Sequence, residues 1–198
     1  MRIVLATGNR DKAAELERLL AGADVDVAPD GFDPEETGTT LFQNALIKAE
    51  ALRALAPGEA VLADDTGLVV HALDGRPGVY SSRYAGPGAT YEDNCRKLLG
   101  ELDGRTDRSA AFVSVLVALV GDSMLVGEGT CPGSISEEPL GEGGFGYDPV
   151  FVPLGGDKSM AEMTRDEKGA ISHRGRAARR IASLLGISPS DGVAASVA

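Results

Sequence analysis

Residues 110–129 constrain the fold more than any other stretch. Ala110 to Val120 is apolar except for Ser114, and Gly121-Asp122-Ser123 breaks the pattern before a second strand-like run, Met124–Gly129. Two such runs around a short glycine-containing turn predict a β-hairpin. The longer run is too short to cross a bilayer as a helix. Upstream, strand and helix patterns alternate, the signature of parallel pairing, so a hairpin in mid-chain predicts an α/β fold with a mixed central sheet and flanking helices.

The remaining elements follow from periodicity and punctuation. Residues 2–7 read as a short buried strand, and Gly8-Asn9 turn the chain into a helix over about 11–21 with Leu16, Leu19 and Leu20 as its apolar stripe. A brief strand fits Val25–Ala28. Thr39 or Thr40 caps a second helix that runs to about Ala56 and stops at Pro57-Gly58. Ala60–Ala63 and Leu68–Leu73 read as strands on either side of a turn, Asp64-Asp65-Thr66-Gly67. Gly75-Arg76-Pro77-Gly78 is another turn, and Thr90 with Asp93 caps a helix over 91–102. Pro149–Val152 reads as a strand, Ser159 with Glu162 opens a short helix, and Ser172 opens the last one, which ends near Gly186. With no repeat and no linker, residues 1–186 make a single domain, and the small, polar stretch 187–198 is expected to be a flexible tail.

Composition narrows the class. The chain of 198 residues is 43% hydrophobic and 25% charged, as soluble globular proteins are. Its net charge of −11 argues against a partner that is nucleic acid or a membrane surface. The N-terminal segment has neither the apolar length nor the cleavage pattern of a signal peptide, and Cys95 and Cys131 fit no metal spacing or disulfide framework. A reduced, cytoplasmic protein is expected. One region departs from the acidic background: from Arg165 to Arg180 six Lys/Arg face two acids, a balance that suits a small polyanion such as the phosphates of a free nucleotide.

Several clusters carry chemistry. Gly143-Gly144-Phe145-Gly146-Tyr147-Asp148-Pro149 sets two aromatics and a carboxylate in a glycine-rich stretch. Phe145 and Tyr147 offer faces to a flat ring and Asp148 offers two acceptors, a combination suited to a heterocyclic base; the competing reading is a turn whose aromatics plug the core. Thr7-Gly8-Asn9-Arg10-Asp11-Lys12 lies where a strand gives way to a helix, a place that favours phosphate; it lacks Walker glycine spacing, and read alone it is more simply an Asn cap with an exposed Lys. Glu35-Glu36 and Asp64-Asp65 supply acids from separate segments, and one carboxylate from each suffices to hold Mg²⁺ while phosphate and water complete its shell. Neighbouring strand residues face opposite ways, so one of the two aspartates enters a given site, and spacing does not say which. Thr40, Asn44 and Lys48 form a polar stripe that most simply faces water; the competing reading is that it continues the phosphate site opened by Lys12. His173-Arg174 at the start of the last helix, with Lys168 upstream, gathers three donors near one helix N-terminus.

Together these residues resemble the inosine triphosphate pyrophosphatases, the Ham1-like non-standard purine nucleoside triphosphate pyrophosphatases. The resemblance runs from Ile3 to about Leu185 and rests on an ordered set: Ala6-Thr7-Gly8-Asn9 with Lys12; Glu36-Thr37-Gly38 with Phe42, Asn44 and Ala45; Ala63-Asp64-Asp65-Thr66-Gly67-Leu68; and Gly144-Phe145-Gly146-Tyr147-Asp148-Pro149. Pro77-Gly78-Val79-Tyr80-Ser81-Ser82-Arg83-Tyr84 and Ser172-His173-Arg174 also match, and Thr66 departs from the family's usual Ser while keeping the hydroxyl. The resemblance implies two lobes around an active-site cleft, a homodimer, Mg²⁺ dependence, and hydrolysis of inosine, deoxyinosine and xanthosine triphosphates to the monophosphate and pyrophosphate, which clears deaminated purines from the nucleotide pool. Carried over by position, Thr7, Gly8, Asn9, Arg10, Asp11 and Lys12 hold phosphate. Glu36 and Asp65 bind metal, and Asp65 accepts the proton. Thr66, Phe145, Gly146, Tyr147, Asp148, Lys168, His173 and Arg174 contact substrate. Two rivals are a pyrophosphatase for pyrimidine or methylated nucleotides, disfavoured by the 145–148 pocket with Lys168 and His173-Arg174, and a non-catalytic nucleotide sensor, which has no need of Glu36 and Asp65 together.

Overall fold

The computed structural model describes residues 1–187. The sheet is mixed: among the described residues it has seven strands, β1 (Arg2–Leu5), β2 (Asp24–Val27), β3 (Ala60–Val70), β4 (Pro77–Gly78), β5 (Ser109–Val120), β6 (Ser123–Ile135) and β7 (Phe151–Pro153), in the order β2-β1-β3-β5-β6-β7, with β4 against β3. β1 pairs in parallel with β2 and β3, whereas β6–β7 and β3–β4 are antiparallel. The helices are α1 (Arg10–Leu19), α2 (Leu41–Leu55), α3 (Tyr91–Glu101), α4 (Arg165–Ile171) and α5 (His173–Leu185). β5 and β6 are the hairpin strands expected from the sequence, and β6 runs six residues beyond the predicted Gly129.

The chain divides into two compact units, one made of Met1–Asp65, Ser114–Gly129 and the chain from Ser172, the other of Thr66–Val113 and Thr130–Ile171. In the first unit the core has two parts. Ile3, Leu5, Leu16, Leu62 and Leu116 pack with Ala177, Ala178 and Ile181 of α5; Val4, Ala6, Val61, Ala63 and Val117 pack with Ala45, Ala49 and Leu52 of α2. The alternation along β1 explains the division, because Ile3 and Leu5 point one way and Val4 and Ala6 the other. α5 lies so close to β6 that a side chain at Gly129 would meet the backbone of His173 and Ala177. In the second unit Leu68, Val70, Leu98, Phe112, Val150 and Phe151 form the core, with the Phe112 and Phe151 rings 4.6 Å apart.

The caps are those the sequence implied. Asn9 accepts from the amides of Asp11 and Lys12, while Thr40 with Gln43, Thr90 with Asp93, and Ser159 with Glu162 form capping boxes. Ser172 caps α5, which ends on left-handed Gly186. Five expectations fail. Asp64-Asp65-Thr66-Gly67 is not a turn but the middle of β3, a single strand of 11 residues, since buried partners satisfy its charges. β3 ends at Val70, and His71–Leu73 is a 3-10 turn. Asp148–Val150 is likewise 3-10, so β7 starts later than Pro149. The stripe of α2 does not face water, for Asn44 is 0% and Lys48 8% exposed. Ile187 belongs to the core of the first unit rather than to a tail, and the rest of the expected tail, 188–198, lies outside the described residues. α4 went unpredicted because its seven residues carry no apolar stripe.

Candidate active site

In the first unit the adjacent aspartates of β3 have different surroundings. Asp64, whose side chain is fully buried, accepts from Ser114 Oγ at 2.7 Å and from Arg174 Nη2 at 3.1 Å, and lies 3.1 Å from Lys12 Nζ. Arg174, itself 2% exposed, also pairs with Glu15 of α1. Asp65 turns the other way. Lys48 Nζ bridges Asp65 Oδ1 at 2.9 Å and Glu36 Oε1 at 2.7 Å. Asn44, one turn before Lys48, accepts from the Gly38 amide at 2.8 Å and so holds the segment that carries Glu36. The pleat that sends alternate side chains to opposite faces separates the two aspartates, and α1, α2 and α5 bring a cation to each.

The electrostatics diverge accordingly. Burial pushes the Asp64 carboxyl up, but Arg174, Lys12 and the Ser114 hydroxyl outweigh it and hold the group well below the usual carboxylate range. Burial also pushes Asp65 up; Lys48 and Lys12 pull it back only in part while Glu36 adds repulsion, so it stands above the ordinary value. Burial lowers the Lys12 ammonium despite Asp64. For Lys48 the same penalty is more than offset by Asp65 and Glu36, and its value is raised. Asp65 Oδ2 is buried with no hydrogen-bond partner among the described residues. An orphaned carboxylate oxygen is costly unless something takes it up. A hard divalent cation would, and Glu36 with Asp65 is the kind of one- or two-carboxylate donor set that Mg²⁺ accepts. Among the described residues no group of three His, Cys, Asp or Glu could hold a metal by itself.

In the second unit a smaller group is built around Asp148. Lys168 Nζ lies 2.6 Å from Asp148 Oδ2, which also accepts from the Phe145 amide at 2.8 Å, and both charged residues are buried. The same ammonium sits over the Phe145 ring, 4.6 Å from its centroid. Gly144 has φ +70°, and a side chain there would collide with the Asp148 carboxylate, so this turn needs glycine.

The structure gives the sequence-predicted residues of both groups differing surroundings. Tyr147 is 4% exposed in the second core, and its hydroxyl donates to Ser81 O at 2.9 Å. His173 and Arg174 open α5 as expected, the first buried and the second on Asp64 and Glu15, whereas Lys168 lies in α4 on Asp148. The Asp11 and Lys12 amides donate to Asn9 Oδ1, as the Asn-cap reading has it, and Thr7 accepts from the Asn9 amide. Gly8 and Arg10 are exposed, and Thr66 is half-buried in β3. Lys48 joins the group as the less favoured reading of the Asn44–Lys48 stripe had it, whereas Glu15 was missed, since no local signal marked it.

The Ham1 family model matches residues 3–184, nearly the whole described chain. The chain belongs to the Ham1 family. Its sequence is 46% identical over 187 residues to a dITP/XTP pyrophosphatase of an Exiguobacterium species, covering 91% of this chain and 95% of that one. It is 50% identical over 179 residues to the dITP/XTP pyrophosphatase of Deinococcus deserti, covering 89% and 85%. The Ham1 protein of Staphylococcus aureus superposes with a TM-score of 0.83 at 41% identity over 94% of this chain and 98% of that one. A HAM1 protein from Coxiella burnetii does so with 0.82 at 40% identity over 95% and 100%. The mixed α/β sheet with flanking helices is thus the Ham1 architecture.

Proposed function

We propose that this Ham1-family chain hydrolyses inosine, deoxyinosine and xanthosine triphosphates to the nucleoside monophosphate and pyrophosphate, and so removes deaminated purines before they reach DNA or RNA. The observation that carries the reading is the pairing of Glu36 with Asp65 across Lys48, beside a second lysine, Lys12. A module that only binds nucleotide has no use for a buried carboxylate with an orphaned oxygen.

In this reading residues 1–186 act as one two-lobed catalytic domain, the first unit meets the phosphates and the second the base. Glu36 and Asp65 would hold Mg²⁺, which when bound would offset phosphate charge and polarise the scissile bond. Asp65 accepts a proton from the water that attacks the α-phosphorus; the bond from that phosphorus to the bridging oxygen breaks and pyrophosphate leaves. Lys12 and Lys48 offset the charge that collects on the leaving group. Thr7 to Asp11 shape the turn that presents Lys12, and Thr66 and His173 complete the substrate contacts. Arg174 serves through Asp64, keeping that carboxylate ionised against Lys12.

Base choice follows from donors and acceptors. A Lys168 ammonium aimed at position 6 donates to the oxo group of hypoxanthine or xanthine and meets adenine's amino group donor to donor. Guanine shares the oxo group, so its rejection rests on a second donor at position 2, such as an amide of the Gly143–Tyr147 loop. The reading includes a cytoplasmic homodimer. A panel of nucleotides with Mg²⁺ and separate assays for pyrophosphate and orthophosphate tests it: inosine triphosphate should yield pyrophosphate, chelation should abolish turnover, and ATP and GTP should be disfavoured by about 10³-fold. Orthophosphate with inosine diphosphate would show the wrong bond, and equal efficiency on GTP would remove the position-2 donor.

A further inference from the structure

The loop that carries Phe145 is held by one face of α3. Tyr91, the first residue of that helix, brings its ring to 6.0 Å from the Phe145 ring at an interplanar angle of 45°. One turn later Cys95 donates its thiol to Gly146 O at 3.3 Å. Residues four apart share a helix face, so two same-face residues of α3 engage two successive residues of the loop. The capping box of Thr90 and Asp93 fixes the first turn from which Tyr91 projects. Burial holds the Cys95 thiol up at about 11, so it stays protonated and donates.

The two aromatics differ in what they have left to offer. The Lys168 ammonium already sits over the Phe145 ring. Tyr91 is 40% exposed, and buried Tyr147 is committed to the core. A large, rigid aromatic with two rotatable bonds, half open to solvent and braced against the base-site loop, is suited to stacking on a flat ring. We propose that Tyr91 is a further base-binding residue, the outer aromatic wall against which the purine of the substrate stacks. This rests on the assignment of the Phe145–Asp148 loop to the base.

The test is steady-state kinetics on inosine triphosphate with pyrophosphate release as the readout, on the full chain. Tyr91→Ala should raise KM about tenfold, with the change in KM rather than kcat and little change in Tm, because stacking on an exposed ring binds ground and transition states alike. Tyr91→Phe, which keeps the ring and drops the hydroxyl, should restore KM toward the wild-type value. Glu92→Ala is the control for simple loosening of the helix start, because Glu92 pairs only at the surface with Arg96, and it should leave KM in place. An unchanged KM in Tyr91→Ala overturns the inference, and so does an equal rise in Glu92→Ala or a loss confined to kcat and Tm. A wild-type chain that releases no pyrophosphate from inosine triphosphate overturns the functional reading itself, and is thereby distinguished from failure of Tyr91 alone.

Discussion

The first unit surrounds two adjacent aspartates with three cations, Lys12, Lys48 and Arg174, whereas the second buries one aspartate against one lysine beside a phenyl ring. Glu15 and Glu36 bring the acids of the first group to four. Burying so many charges is unfavourable for stability alone, since each ion loses its hydration and pairing returns only part of that. Such density makes sense where a polyanion and its counter-ion must be met. The Asp148–Lys168 pair carries no net charge and adds an aromatic face, which suits a flat, neutral heterocycle. Charge density thus separates the group proposed to handle phosphates from the group proposed to read the base.

The comparison breaks most decisively at Asp64. Asp64→Asn removes the charge that Arg174 and Lys12 both face, and should cost about 3 kcal/mol of stability, measured by denaturant unfolding. The sign with pH follows from the depressed value of Asp64: its contribution is complete above the unfolded pKa of about 3.9 and is lost as pH falls through the folded value. The gap between wild type and Asp64→Asn should therefore close in acid. Asp65→Asn sharpens the contrast within one strand. It should lower kcat by on the order of 10²-fold or more while leaving the fold intact, because the amide is nearly isosteric. If Asp64→Asn keeps its stability and loses turnover while Asp65→Asn is silent, the two roles are reversed.

Effects in the second unit should fall on recognition. Lys168→Met leaves Asp148 buried without its cation and removes the donor proposed for the 6-oxo group. It should erode the preference for inosine triphosphate over ATP by about tenfold or more, read as the ratio of kcat/KM values. Gly144→Ala places a methyl group against the Asp148 carboxylate in left-handed backbone, and should raise KM with a stability loss of about 1–2 kcal/mol. The smallest effect is the control: Thr40→Ala removes the cap of α2 and should cost about 1 kcal/mol in unfolding experiments without altering base preference.

Much of this was legible in the chain itself. The hairpin of β5 and β6, the caps at Asn9, Thr40, Thr90 and Ser172, and the stop at Gly186 depend on turn chemistry and short-range periodicity, which act within a few residues. The ordered motifs likewise pointed to the family and to both charged groups. Three matters depended on contacts far apart in sequence. Asp64-Asp65 reads locally as a turn and becomes strand because Arg174, 110 residues away, neutralises Asp64. Lys48 reads locally as solvated and becomes buried because Glu36 and Asp65 meet it. Tyr147 and Phe145, alike in composition and two residues apart, divide between core and site because the Ser81 carbonyl takes the hydroxyl of one while Lys168 and Tyr91 meet the ring of the other. Local sequence determined where elements begin and end; the tertiary structure decided which charges are paired, because the cost of burying a charge is set by partners that only folding brings together.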